Sequence, residues 1–483
     1  MTEADRPLLS LLLLPGDDAG RAAATDSFGA QGQGPWELVP VPATGDLGAA
    51  LTAAAGSVGG RYVGVLGSGD RLEPGALAAV VAFVDRLGRE PAVLYTDESG
   101  PAGVFSKPRW VPAYLEATNY LGRLLLVRRD VLAEVGGWRS GGAMEWDLAL
   151  RVTERTDDVA HVPVTGLIRA AGDDLAVLTA GREAVAARCA RLGVPARVEL
   201  TGTAEGDAPG YLRVWREVPE PPLVSIVVPT AGGRREIDGQ ERLLVTQLLR
   251  SLLEHTTYER WEVVLVPSEG TAPEVLAECE EILGDRLTLA PVAGTFNFSR
   301  SVNTGAAAAR GELLLLLNDD IVVLEPRWLD RMVAVAQDPA VGAVGAKLLF
   351  GDGRIQHVGV AFDRDGEATH PHIFEAEDAG HFGSKVVDRD YEAVTGACLL
   401  TPRDLFVEVG GLTEALPLNY NDVDYCLKVR AAGRRIVCTP FARLRHYESS
   451  SRTARIEDEE RAALAWWRPR TMSDPYTNVR GLA

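Results

Sequence analysis

Residues 311–320, Gly-Glu-Leu-Leu-Leu-Leu-Leu-Asn-Asp-Asp, constrain the fold more than any other stretch of the chain. Five consecutive leucines fall far short of the roughly 20 apolar residues that span a bilayer. With no polar face, they suit a strand buried on both sides of a parallel sheet, so α/β architecture is expected. The strand ends in an amide and two carboxylates, at the edge where open α/β sheets collect ligands. Adjacent carboxylates there repel each other unless a cation or solvent compensates them, and an oxygen site of this kind suits Mg²⁺ or Mn²⁺. Asn and Asp also favour plain solvated turns, so the neighbouring residues must decide.

The chain has 483 residues, enough for two or three domains. A formal net charge of -19 argues against a partner whose phosphates are read by a basic face, so no nucleic acid is expected. A small phosphorylated molecule held through a metal remains compatible with that charge. The five cysteines include no CxxC pair and no zinc-like spacing, which suits a reducing, cytoplasmic setting. Residues 8–14 are apolar, but Glu3 and Asp5 precede them and Pro7 and Pro15 bound them. They read as a first buried strand rather than a signal-peptide core. No other stretch is long enough to span a bilayer, so any membrane association is expected to be peripheral.

Strand and helix signals alternate along both halves. Strands are expected at residues 36–39, 61–66 and 92–95, with a helix over 75–87 opened by Pro74. Proline and glycine then cluster over residues 201–222, marking a linker. Residues 223–230 restart the pattern with a β-branched strand, followed by a helix near 241–253 and a strand at 261–266. The expected organisation is a domain over 1–200, the linker, a second domain over 223–450 and a helical tail over 451–483. The halves also echo each other: Arg129-Asp130 through Gly136-Gly137 answers Arg403-Asp404 through Gly410-Gly411, and Leu-Glu-Pro follows both Asp70 and Asp320. Two similar domains are the simplest account.

Several polar residues could carry chemistry. Asp422 and Asp424 open an amphipathic run, where carboxylates ordinarily cap a helix; one of them could instead face a cleft as a general base. His446 follows a strand-like run and is either a polar loop group or a neutral imidazole ligand to a metal held by Asp320. Residues 296–305, including Asn303, read as the polar approach to a helix at 306–310, capping it or reaching a nucleotide.

Taken together and in order, the segments VSIVVPT, FNFSRSVNTGAAAARGELLLLLNDD, VGAVGAKLLFGDGRIQHVGV, TGACLL, NYNDVDYCLKVRAAG and HYES make residues 224–451 resemble the inverting nucleotide-sugar glycosyltransferases of family two. The resemblance implies two tandem GT-A-like domains, mostly parallel and Rossmann-related, of a bacterial type tied to rhamnan, O-antigen or other cell-surface polysaccharides. It implies Asp320 and His446 as ligands of Mg²⁺ or Mn²⁺, Asp319 with Asn318 near the ribose and diphosphate, and Asp422 as catalytic base. It also sets Pro229, Thr230 and Asn303 around the nucleotide, and Gly396 and Ala397 beneath the donor sugar. The implied donor is dTDP-rhamnose or a UDP-hexose, and the acceptor a glycan or a lipid-linked glycan, the latter drawing the protein to the inner membrane face.

Two departures qualify that resemblance. Where the family carries an Asp-rich turn that contacts the base, this chain has Pro267-Ser268-Glu269-Gly270; Arg234 or Arg235, in the nearby insertion, offers compensation near the phosphates. In the first half, Gly67-Ser68-Gly69-Asp70 replaces the acidic turn, Glu145 replaces the base, and Leu167 stands for the histidine. A single carboxylate holds a hard divalent ion poorly, so the first domain is expected to be catalytically silent and to serve acceptor positioning, packing or partner binding. The rival expectation is a decayed nucleotide- or carbohydrate-binding protein, which the missing base-contacting Asp favours.

Overall fold

The computed structural model describes residues 6–43, 45–101, 103–172, 175–201, 210–237, 239–447 and 458–476. The centre of the expected linker (202–209), Glu448 and Ser449 of the HYES segment, and the tail residues 451–457 and 477–483 lie outside them. The chain divides into two compact units, the boundary falling between Trp215 and Arg216. Part of the segment expected to be linker is therefore structured: Tyr211–Arg216 is a strand paired with Ala196–Thr201. Its Tyr, Leu, Val and Trp supply the β-propensity that the flanking prolines and glycines masked.

In the C-terminal unit the leucine strand, Leu313–Leu317, is buried along its whole length. It pairs in parallel with Val224–Thr230, which pairs in parallel with Trp261–Pro267, and that strand with Leu287–Leu289. On its other side the leucine strand meets Cys398–Pro402 in antiparallel register, Leu317 opposite Cys398. The sheet continues through Val341–Leu349 and Arg435–His446 to the short strand Ile321–Val323. The sheet is thus mixed, and its parallel half delivers Thr230 and Asn318 to the same edge.

A buried carboxylate fixes where the leucine strand begins. Glu262, 3% exposed, accepts from Ser225 Oγ at 2.7 Å and from the Arg310 backbone N–H at 3.0 Å. Ser225 Oγ accepts in turn from Gly311 N at 2.8 Å. The helix before the strand runs over Phe298–Ala308, capped by Asn297, whose side chain accepts from Arg300 N. It therefore starts well before residue 306, because the Asn297 cap outweighs the polar character of the next turn. Gly305 lies where this helix touches the sheet. A Cβ there would fall 2.4 Å from Val227 Cγ1 and 2.8 Å from Val266 Cγ2. Gly305→Ala is expected to cost about 1–3 kcal/mol through overpacking, read as a lower urea midpoint with unchanged slope.

Among the described residues the N-terminal unit repeats this strand order without a counterpart of Leu287–Leu289: Trp36–Pro40, Leu9–Leu13, Tyr62–Leu66, Leu125–Arg128, Val93–Gly100, Val159–Ile168, Arg71–Leu72. One register detail changes the expected correspondence. In the C-terminal unit the residue after Asp320, Ile321, pairs with His446; in the N-terminal unit the residue after Asp70, Arg71, pairs with Ile168. Ile168, not Leu167, stands where the histidine would be. The substitution is apolar either way. Among the described residues no helix is long and apolar enough to cross a membrane.

Candidate active site

The strand ends bring one set of polar groups together. Thr230, buried, donates its hydroxyl to Asp319 Oδ2 at 2.6 Å and accepts from Gly232 N at 3.1 Å. This pair aims the Asp319 carboxylate across the ends of adjacent parallel strands. Pro229 is buried beside it and lies in register with Val266.

Asp320 is 6% exposed. The Ile321–His446 pairing sets the imidazole beside it, with Nε2 3.0 Å from Asp320 Oδ1. The same nitrogen is 3.3 Å from Asn318 Nδ2, while Nδ1 is 2.6 Å from Gln356 Oε1. An amide oxygen can only accept, so Gln356 favours the proton on Nδ1 and leaves the Nε2 lone pair facing Asp320 and Asn318. Despite its closeness to Nε2, Asp320 Oδ1 is buried without a partner in hydrogen-bonding geometry. A buried carboxylate oxygen and an imidazole lone pair side by side need a positive charge between them. That donor set fits Mg²⁺ or Mn²⁺. Among the described residues no group of three or more acid, histidine or cysteine side chains closes a metal site, so a divalent ion here would draw its remaining ligands from water and a diphosphate.

Gln356 escaped the sequence reading as a functional residue. It lies in the GRIQHVGV segment, but nothing local shows that its amide meets an imidazole 90 residues away. Gln356→Leu is expected to weaken Mn²⁺ binding about 10–100-fold, as losses of partners behind a ligating imidazole do. Electron paramagnetic resonance of free Mn²⁺ during titration measures it.

On the opposite wall, the helix Asn421–Ala431 opens after Tyr420, whose φ of 57° is left-handed for a bulky residue. Such a backbone persists only where its surroundings impose it. Asp422, half-buried, accepts from Gly396 N at 2.8 Å through Oδ2 and from Val423 N at 2.8 Å through Oδ1. Asp424 is engaged differently: Thr413 Oγ1, Lys428 Nζ and Trp467 Nε1 reach it at 2.6, 2.9 and 2.9 Å. Of the two candidate bases, Asp424 is held by side chains of the protein itself, and Asp422 is aimed by backbone alone.

Gly396 and Ala397 join the two walls. Gly396 N holds Asp422, and the Ala397 carbonyl accepts from Asn318 N at 3.1 Å. A Cβ at 396 would sit 3.2 Å from Asp422 Cβ, so glycine permits the close approach. Beneath them Thr395 N lies 3.4 Å from His357 Nε2. Burial, reinforced by the neighbouring His370 and His446, holds His357 well below the usual imidazole range, so it stands as a neutral acceptor.

Asn303 and Arg235 also engage the protein itself. Asn303 donates to the Leu412 carbonyl at 2.9 Å and to Glu414 Oε1 at 3.2 Å, and accepts from Leu412 N at 3.0 Å; it anchors the 412–414 loop. Arg235, in the hairpin of Arg234–Ile237 and Gln240–Leu243, donates to the Tyr447 carbonyl at 2.6 Å. It thus braces the residue after His446. Past Pro267, the Glu269 carboxylate accepts from Gly294 N at 2.7 Å.

Comparison with known proteins gives the following similarities. The chain is 38% identical over 461 residues to the O-antigen biosynthesis protein RfbC of Myxococcus xanthus, covering 90% of this chain and 35% of that protein. It is 35% identical over 468 residues to the uncharacterized protein y4gI of Sinorhizobium fredii, covering 90% and 50%. The chain therefore spans half or less of the length of these relatives. Among solved structures, a mannosyltransferase from Pyrobaculum calidifontis in complex with GDP-Man and Mn²⁺ aligns at 16% identity and TM-score 0.37, over 55% of this chain and 72% of that one. GalNAc-T7 with UDP, GalNAc and Mn²⁺ aligns at 15% identity and TM-score 0.40, over 49% and 46%. Residues 221–465 match the family described as glycosyltransferase like family 2, and on that match, spanning both walls of the site, the chain belongs to this glycosyltransferase family.

Proposed function

We propose that the C-terminal unit transfers a sugar from a nucleotide-diphosphate sugar to a hydroxyl of a glycan or lipid-linked acceptor, with inversion, in cell-surface polysaccharide synthesis. The observation that carries this reading is the short backbone link from Asp422 through Gly396 and Ala397 to Asn318, which sets a backbone-held carboxylate opposite an acidic, histidine-backed edge. Asp422 takes the acceptor proton as the hydroxyl attacks the anomeric carbon, and attack from the face opposite the leaving group inverts the centre. Thr230 orients Asp319 toward where the ribose and diphosphate would lie, and Asp320 with His446 would hold the divalent ion. When bound there, Mg²⁺ or Mn²⁺ neutralises charge developing on the departing diphosphate. Asn303 supports the site from the 412–414 loop rather than by touching donor.

The donor follows the resemblance, dTDP-rhamnose or a UDP-hexose, and the O-antigen name of one relative is consistent with a polysaccharide product. The test incubates the protein with Mn²⁺ and dTDP-rhamnose, UDP-glucose or UDP-galactose and follows release of the nucleoside diphosphate, with the anomer of the freed sugar read by proton NMR. Release from one donor with inversion is the expected result. A protein that binds nucleotide yet releases none, with or without acceptor glycans, would instead be the decayed binding protein.

A further inference from the structure

The helix that carries Asp422 starts without a side-chain cap, directly after Tyr420 in its left-handed conformation. Both features cost stability unless the surroundings impose them. Upstream, the chain is pinned to the helix Phe298–Ala308: Ser299 Oγ donates to the Leu416 carbonyl at 2.6 Å and Phe298 N to the Pro417 carbonyl at 2.9 Å. Downstream, Asp424 N donates to the Tyr420 carbonyl at 2.8 Å. Between these anchors lies Asn419, and the C-terminal segment holds it.

Glu460, 3% exposed and on the helix Asp458–Trp466, accepts from Asn419 N at 2.9 Å through Oε1 and from Asn419 Nδ2 at 2.8 Å through Oε2. Both oxygens of one buried carboxylate thus grip the residue before Tyr420, by its backbone and by its side chain. Further along, Trp467 Nε1 reaches Asp424 Oδ1 at 2.9 Å, so the segment holds the turn on both sides of Asp422. Its far end is fixed as well. Arg470 Nε meets Glu392 Oε2 at 3.1 Å, the fully buried Asp474 accepts from Phe362 N at 3.2 Å, and the Tyr476 hydroxyl donates to the Asp390 carbonyl at 2.7 Å. A buried carboxylate is unfavourable as mere packing; here its charge strengthens two hydrogen bonds to one residue.

We propose that Glu460 is a positioning residue for the transfer reaction: through Asn419 it fixes the turn that aims the Asp422 carboxylate at the acceptor hydroxyl. The inference rests on the transferase reading of Asp422 and adds the C-terminal segment to the machinery. Asp319 and Asp320 stand on the opposite wall, oriented by Thr230 and backed by His446. Loosening the grip of Glu460 therefore displaces the base and leaves the donor edge in place. A displacement on the order of 1 Å is enough to lower a rate about 100-fold.

Steady-state kinetics of the full chain on the releasing donor, with Mn²⁺, tests it. Glu460→Ala is expected to lower kcat about 10–100-fold with the donor KM within a factor of about two, and to add nothing further in an Asp422→Asn background. Asn419→Asp sets two carboxylates against each other and should act like Glu460→Ala. Combining it with Glu460→Gln restores a donor–acceptor pair and should return kcat to near the parent's. This exchange decides the matter should Glu460→Ala fail to fold. Parental kcat in Glu460→Ala, a rise in donor KM matching the fall in kcat, a full further loss on Asp422→Asn, or an exchange without recovery would each overturn the proposal. A parent chain that releases no nucleoside diphosphate would instead sink the transferase reading, and this inference with it.

Discussion

Asp422→Asn is expected to lower turnover about a thousandfold while leaving nucleotide affinity within a factor of about two. Loss of a positioned general base typically removes 10²- to 10⁴-fold in rate. The amide is isosteric, so the helix start and the Gly396 contact at 2.8 Å have little cause to move. One of the two backbone N–H groups that now meet carboxylate oxygens would face the amide NH₂, a modest stability loss of about 1 kcal/mol. Steady-state kinetics on the releasing donor, beside a nucleotide titration, separates the effects. Near-parental turnover would remove Asp422 from the mechanism. The companion Asp424→Asn serves as contrast: it breaks the contacts with Thr413, Lys428 and Trp467, so its damage should appear first in stability.

Asp320→Ala is expected to abolish metal-dependent nucleotide binding and with it at least a thousandfold of turnover. The argument is geometric. In the proposed site the Asp320 carboxylate is the anionic member of a two-residue donor set, and without it only the His446 imidazole, held by Gln356, would remain. A hard divalent ion needs anionic oxygen, and the diphosphate by itself would hold the ion without fixing it against the protein. The fold should survive, since Oδ1 has no hydrogen-bond partner to lose and the Asp320 carbonyl still accepts from Tyr447 N at 3.0 Å. Circular dichroism and Mn²⁺ titration of the variant check both halves of that expectation.

Much of this was legible in the chain because local chemistry and global placement agree. The leucine run has no polar face, so burial on both sides was its only stable use. The acidic turn then had to fall at the ligand edge of the sheet. The repeat of Arg-Asp and Gly-Gly segments announced two units with one strand order. The failures share one cause: they depend on partners distant in sequence. Nothing local to Asn303 shows that it anchors the 412–414 loop. Gln356 looks like any polar strand residue until His446 arrives beside it. The counterpart of that histidine was misplaced by one residue, because only the Arg71–Ile168 pairing fixes register, and a shift of one moves a side chain to the other face.

The measurement that tests the central claim most directly is calorimetric titration of the purified chain with UDP, dTDP, GDP and CDP, each with and without Mn²⁺, repeated on Asp320→Ala. Binding of one of these nucleotides only in the presence of Mn²⁺, lost in Asp320→Ala and retained in Asp422→Asn, is the predicted result. It would identify the base that the segment around Pro267 accommodates. Binding indifferent to Mn²⁺ and to Asp320, or no binding of any nucleotide by a folded chain, would contradict a metal-dependent donor site at this edge.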